Sequence, residues 1–156
     1  MNNFRIIGKI CLLNNIAVQS YTYNRYLPLG KPEIVLEYLN KWGIDEIMIL
    51  DIKNSIFQTN YLKKNLKNIL KNCNTPVTIG GGINTIQDVE YILRNGADKV
   101  VINTSFLNNM NLLKQIVNEF GSQAIISSID YKYYNNNFTI YSYSGTKKNK
   151  INIKEY

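Results

Sequence analysis

Two periods of hydrophobicity alternate along this chain. Residues 5–13, 44–51, 76–79, 97–104 and 122–130 are short, nearly continuous apolar runs rich in β-branched residues. Such runs suit parallel strands buried on both faces. Between them lie stretches with apolar residues at helical spacing: 32–42, 60–73, 85–95 and 108–120. Pro32 suits a first helical turn, and Gly43, Gly96 and Gly121 stand where three of these helices must stop. On the first helix Ile34, Val35, Tyr38, Leu39 and Trp42 form the predicted stripe; on the second, Tyr61, Leu62, Leu66, Ile69 and Leu70 share one side. A strand–helix unit repeating about every 25 residues predicts a parallel sheet with helical crossovers.

The remaining segments are less regular. Asn14-Asn15 marks a turn, 16–23 a short extended piece, and 24–30 a loop punctuated by Pro28 and Gly30. Residues 138–143 alternate with period two. With 131–134 and the turn Asn135-Asn136-Asn137 they predict an antiparallel hairpin hung on the fifth strand. Residues 151–156 read as the start of a helix.

Residues 76–84, Pro-Val-Thr-Ile-Gly-Gly-Gly-Ile-Asn, are the chemical centre of the pattern. A strand passes into three glycines, Asn84 or Thr85 caps a helix, and Gln87 and Asp88 fill its first turn. Glycine lets backbone come close to a ligand, and a helix start aims N–H groups and a positive dipole end at it. Phosphate is the predicted guest; a tight turn needing positive φ would use the same residues. Asp51, Asn103-Thr104 and Asp130 end other strands, where parallel α/β folds carry their chemistry.

Composition narrows the chemistry. The 156 residues suit one domain, 1–156, with a sizeable core. The absence of histidine excludes His triads, His metal sites and His general bases within this chain. Cys11 and Cys73 lack metal-ligand spacing and are expected as reduced thiols; no metal site is predicted. No apolar run approaches the roughly 20 residues of a membrane span, and no basic leader precedes an apolar core, so a cytoplasmic protein is expected. The net charge of +7 favours anionic ligands such as phosphate esters. Only residues 146–150 form a basic cluster, which makes nucleic acid the weaker partner class.

Arg5-Ile6-Ile7, Gly43-Ile44-Asp45-Glu46 with Leu50-Asp51-Ile52, Ile79-Gly80-Gly81-Gly82-Ile83, Gly96-Ala97-Asp98-Lys99-Val100, Ile102-Asn103-Thr104, Phe120-Gly121-Ser122-Gln123-Ala124, Ile129-Asp130 and Tyr143-Ser144-Gly145 follow one another. In this order, over essentially the whole chain, they resemble the cyclase subunit of imidazole glycerol phosphate synthase, of histidine biosynthesis. On pattern and length alone a doubly wound open sheet fits better than a (β/α)8 barrel of ~250 residues. The resemblance implies the barrel instead, with about its first five βα units here and a hairpin after strand five.

The resemblance implies a lyase that takes ammonia from a glutaminase partner. It converts a phosphoribulosyl aminoimidazole ribonucleotide to imidazole glycerol phosphate without a cofactor. It places Gly81, Gly82, Asn103 and Thr104 at one substrate phosphate and Asp130 at one of two acid/base positions. Arg5, Glu46 and Lys99 fall on an ammonia gate at the barrel bottom; Asp98 and Gln123 fall on the glutaminase-facing rim.

Three departures qualify this. Cys11 stands where the family has its other aspartate, Gln19 where it has a loop lysine, and the second half-barrel is lacking. A thiol with an ordinary pKa of about 8.5 is no simple substitute for a carboxylate, and a small buried hydrophobe is the competing role for Cys11. The expectation is that these 156 residues alone do not perform the full reaction, with self-association of half-barrels as one route to closure. Two alternatives stay open: a divergent homologue acting with an amidotransferase on surface sugars, and a non-catalytic half-barrel that binds phosphate or a glutaminase.

Overall fold

Every second residue of a strand points to the same face of its sheet. The apolar runs therefore make two rows, and a computed structural model shows both. It describes residues 4–21, 25–52, 60–105, 109–143 and 145–151, with backbone alone at 60–64. The chain forms β1 (Ile7–Leu13), β2 (Ile16–Tyr21), β3 (Arg25–Gly30), α1 (Pro32–Lys41), β4 (Glu46–Asp51), α2 (Asn60–Leu70) and β5 (Val77–Gly80). It continues with α3 (Ile86–Arg94), β6 (Lys99–Ile102), α4 (Met110–Phe120), β7 (Ile125–Ser127), β8 (Asp130–Tyr134), β9 (Asn137–Ser142) and β10 (Lys147–Lys148).

One sheet runs β3-β2-β1-β4-β5-β6-β7 and a second runs β10-β9-β8. Within the first, β1, β4, β5, β6 and β7 are parallel. They lie side by side in chain order. A doubly wound sheet reverses its order at a switch point, whereas the five parallel strands run on in one direction, with β2 and β3 on the other side of β1. A (β/α)8 barrel is also wound sequentially.

Register lines up Ile10, Ile49, Ile79, Val100 and Ile125 on one face. The first four are at most 2 % exposed and pack with Leu36, Leu66, Ile69, Val89, Ile92, Leu112 and Ile116 from the helices. The next row, Cys11, Leu50, Gly80, Val101 and Ile126, turns to the opposite face.

Several expectations are corrected. Residues 25–30 are a strand, not a loop: they pair antiparallel with β2, with an irregularity at Ala17/Val18, and Pro28 is tolerated because β3 is an edge. The stripe assigned to α1 holds in part: Val35 and Leu39 pack against the core. Pro32 and Leu36 are its buried residues, whereas Ile34, Tyr38 and Trp42 are exposed. Tyr38 and Trp42 pack on each other with ring centroids 6.5 Å apart. The fifth parallel strand is only Ile125–Ser127, after a 3-10 turn at Ser122–Ala124. Asp130 therefore does not end it; it opens β8 in the second sheet.

The predicted hairpin is present: β8 pairs β9 through Asn135 and Asn136, at φ 48° and 60°. Asn14 and Asn15 make the equivalent turn between β1 and β2, at φ 50° and 66°. Positive φ at both central positions selects for Asn and Gly. Side chains assigned at Tyr61 and Leu62, and the helix start expected at 152–156, lie outside the described residues.

Candidate functional site

The C-terminal ends of β4, β5 and β6 converge. β5 ends on Gly80, whose added Cβ would lie 2.7 Å from Val101 Cβ and 2.9 Å from Leu50 Cδ2. Gly81 is held more tightly: at φ 113° a Cβ there would stand 2.3 Å from the Asp51 carbonyl oxygen. The Gly81 backbone thus lies against the end of β4, and two residues singled out in the sequence, Asp51 and Gly81, are neighbours. Gly82 follows at φ 64°, and Ile83 anchors the turn at 2 % exposure.

Thr85, not Asn84, caps α3. Its hydroxyl accepts from Asp88 N–H, and the Asp88 carboxylate accepts from Thr85 N–H at 3.0 Å and Asn84 N–H at 3.1 Å. This narrows the set of donors that the helix start could offer a guest. Two of those N–H groups are satisfied, by an acid.

The neighbouring strand end is Asn103-Thr104, just after β6. The Asn103 side-chain oxygen is buried with no hydrogen-bond partner among the described residues. An orphaned buried acceptor costs about 1–3 kcal/mol, which a bound donor would recover. Thr104 Oγ1 accepts from Tyr143 N–H at 3.2 Å, tying the end of the second sheet to the site. Ser105, not singled out in the sequence, bridges to the other turn through Asn84, with Ser105 Oγ and Asn84 Oδ1 2.9 Å apart.

The two positions that the resemblance assigns to acid/base work stand on different sheets. Asp130 is half-buried and pairs across from Tyr141. Cys11 lies within β1, paired with Leu50 and Val18, and is 4 % exposed. Burial pushes its thiol up, and the Lys9 charge opposes this only in part. It is an uncharged, small hydrophobe at neutral pH. Both cysteines are free thiols.

The N-terminal ends of the same strands carry a separate cluster. Lys99 on β6 reaches Glu46 on β4 at 3.2 and 3.3 Å, across β5. Thr78, on the intervening strand, donates its hydroxyl to Glu46 at 2.6 Å. The Thr78 bond, then the Lys99 hydrogen bond and the charges of Lys99 and Arg5, hold the Glu46 carboxyl below the ordinary range, while burial pulls the other way. Glu46, Lys99 and Arg5, which the resemblance assigns to a gate, are thus electrostatically linked. Thr78 is the member the sequence reading missed, although the two-residue period puts it on the face of Glu46 and Lys99.

Asp98 is exposed but not idle. Its carboxylate accepts from Val77 N–H at 2.7 Å and its N–H donates to the Val77 carbonyl at 2.8 Å. Asp45 clamps Ile6 the same way, at 2.7 and 3.0 Å. Gln123 is exposed, with Nε2 donating to the Phe120 carbonyl at 3.2 Å. Among the described residues no group of three or more His, Cys, Asp or Glu side chains could hold a metal. No helix among them is long and apolar enough to cross a membrane.

A sequentially wound parallel sheet with a glycine turn at its carboxyl ends and an ion-paired cluster at its amino ends defines an α/β protein. Residues 5–156 match the family described as "Histidine biosynthesis protein", and the chain belongs to it. It is similar to the imidazole glycerol phosphate synthase subunit HisF of Sulfurisphaera tokodaii, 37% identical over 152 residues, covering 97% of this chain and 61% of that protein. It is similar also to the putative imidazole glycerol phosphate synthase subunit hisF2 of Vibrio vulnificus, 30% identical over 159 residues, 100% of this chain and 57% of that protein. The subunit HisF of Thermotoga sp. strain RQ2 is 30% identical over 97% of this chain and 60% of its own length. The chain spans less than two thirds of each of these relatives.

Proposed function

We propose that this chain supplies the phosphate-holding and ammonia-gating part of an imidazole glycerol phosphate synthase cyclase, acting in the cytoplasm. Residues 1–156 form one partial (β/α)8 barrel domain, the first five βα units. Gly81, Gly82, Asn103 and Thr104 hold one phosphate of the ribonucleotide substrate. Asp130 moves protons as ammonia adds and the ring closes. Arg5, Glu46 and Lys99 gate the passage of ammonia from a glutaminase subunit that docks at the amino ends of the strands, beside Asp98 and Gln123. No cofactor takes part.

The observation that carries this reading is the glycine turn packed on Asp51 at the end of β4, in a chain whose residues 5–156 match the histidine biosynthesis family. Strand ends with close backbone approach and polar neighbours suit a phosphate ester. Calorimetric titration with imidazole glycerol phosphate tests it. Binding that is lost in Gly81→Val and kept in Lys148→Ala supports the reading; absence of binding by the unsubstituted chain overturns it.

One observation favours a second reading, a non-catalytic half-barrel that binds phosphate and a glutaminase: the buried, uncharged thiol of Cys11. An ammonium-fed assay of Cys11→Asp separates the two. Gain of turnover marks a latent enzyme, and phosphate binding without turnover marks a scaffold.

A further inference from the structure

We infer that Ser105 is a positioning residue: its hydroxyl locks the Gly81–Gly82 turn against the end of β6 and so sets the geometry of the anion site. This rests on the phosphate reading above. Ser105 Oγ lies within hydrogen-bond reach of two acceptors on the neighbouring turn, the Ile83 carbonyl and Asn84 Oδ1. A serine hydroxyl has one proton, so it is shared in a three-centre bond. Asn84 then donates Nδ2 to the Gly82 carbonyl at 2.9 Å. Turning the Asn84 amide over would set its oxygen against that carbonyl, so the network fixes the amide's orientation.

Two links, Ser105 to Asn84 and Asn84 to Gly82, therefore fix the peptide plane after Gly82. That plane needs fixing. Gly82 sits at φ 64° behind Gly81 at φ 113°, and glycine peptides rotate with little steric resistance. The N–H groups of Asn84 and Thr85 are already taken by Asp88. Anion affinity then depends on the turn's own backbone, whose orientation Ser105 controls. The Ser105 proton is committed to Ile83 and Asn84, so the residue acts through Gly82 and not on the ligand.

The test is an amide NMR titration of the full chain with inorganic phosphate. Ser105→Ala is expected to weaken phosphate about three- to tenfold, the net worth of one hydrogen bond, and to shrink the phosphate-induced shift of the Ile83 amide, which shares its peptide plane with the Gly82 carbonyl. Ser105→Thr keeps the hydroxyl and restores both. Asn84→Ala breaks the second link and reproduces the loss, and the double variant is no weaker than either single one. Equal phosphate binding by Ser105→Ala and the unsubstituted chain overturns the positioning role alone, as does failure of Ser105→Thr to restore it. No phosphate binding by the unsubstituted chain overturns the phosphate site itself, and this inference with it.

Discussion

Lys99 Nζ stands 3.2 Å from Glu46 Oε2 across the strand that separates them, with the Thr78 hydroxyl filling the gap. The Glu46 side chain is only 6% exposed. A carboxylate taken out of water persists only when charge and donors compensate it, and this one has both.

Glu46 makes stability depend on pH in a defined direction. Its folded pKa is lowered by the Thr78 bond and the nearby cations. The stability it contributes is therefore present above the unfolded value of about 4.3 and is lost as pH falls through the folded value. Glu46→Gln should cost about 1–3 kcal/mol at pH 7. Urea midpoints across pH should show that cost shrinking in acid; a cost constant across pH would contradict the assignment.

Gly81 and Gly30 provide a controlled comparison. Both have positive φ, 113° and 125°, but a Cβ at Gly81 meets Asp51 backbone whereas one at Gly30 meets nothing within 4 Å. Gly30→Ala should cost only the backbone strain, about 1 kcal/mol. Gly81→Ala should cost at least about 2 kcal/mol more, because two strand ends must separate. Paired denaturation curves read the difference.

Cys11 should resist chemistry in the native state. Its thiol is 4 % exposed and burial raises its pKa, so iodoacetamide at pH 8 should label it much more slowly in the fold than in urea. Its raised pKa also means that the stability it contributes is complete below the unfolded value of about 8.5 and declines as pH rises above it. Native labelling as fast as in urea would place the thiol at the surface.

Thr104 joins the second sheet to the site through Tyr143 N–H. Thr104→Val removes that acceptor and should speed exchange of the Tyr143 amide by up to about tenfold, while Thr104→Ser should not. Unchanged exchange in Thr104→Val would show that the hairpin is held by other contacts.

Much of this arrangement was legible before the structure. Strand-to-helix alternation survives because each helix must bury one stripe on one face, and Gly43 and Gly96 reach the positive φ that ends α1 and α3. The repeated Gly-x-Asp before Glu46 and Lys99 is visible as a motif in the sequence, yet its work is not. Asp45 and Asp98 each clamp the start of a neighbouring strand, a long-range bond that local pattern does not show. Part of the α1 stripe was misread because Tyr38 and Trp42 are apolar enough to score as core and large enough to cover each other at the rim. β3 was missed because Pro28 and Gly30 read as loop, whereas an edge strand tolerates both. Asp130 was placed at a strand end because 122–130 is continuous in sequence; the switch to a second sheet lies in hydrogen bonds to β9. The Asp88 cap that takes the helix-start donors was visible in spacing, but its consequence for the anion was not.

The most direct test of the central claim is a map of amide shifts as imidazole glycerol phosphate is titrated into the full chain. The account predicts saturable shifts centred on Gly81–Gly82 and Asn103–Thr104. Shifts confined to the basic residues 146–150, or none at all, would contradict it.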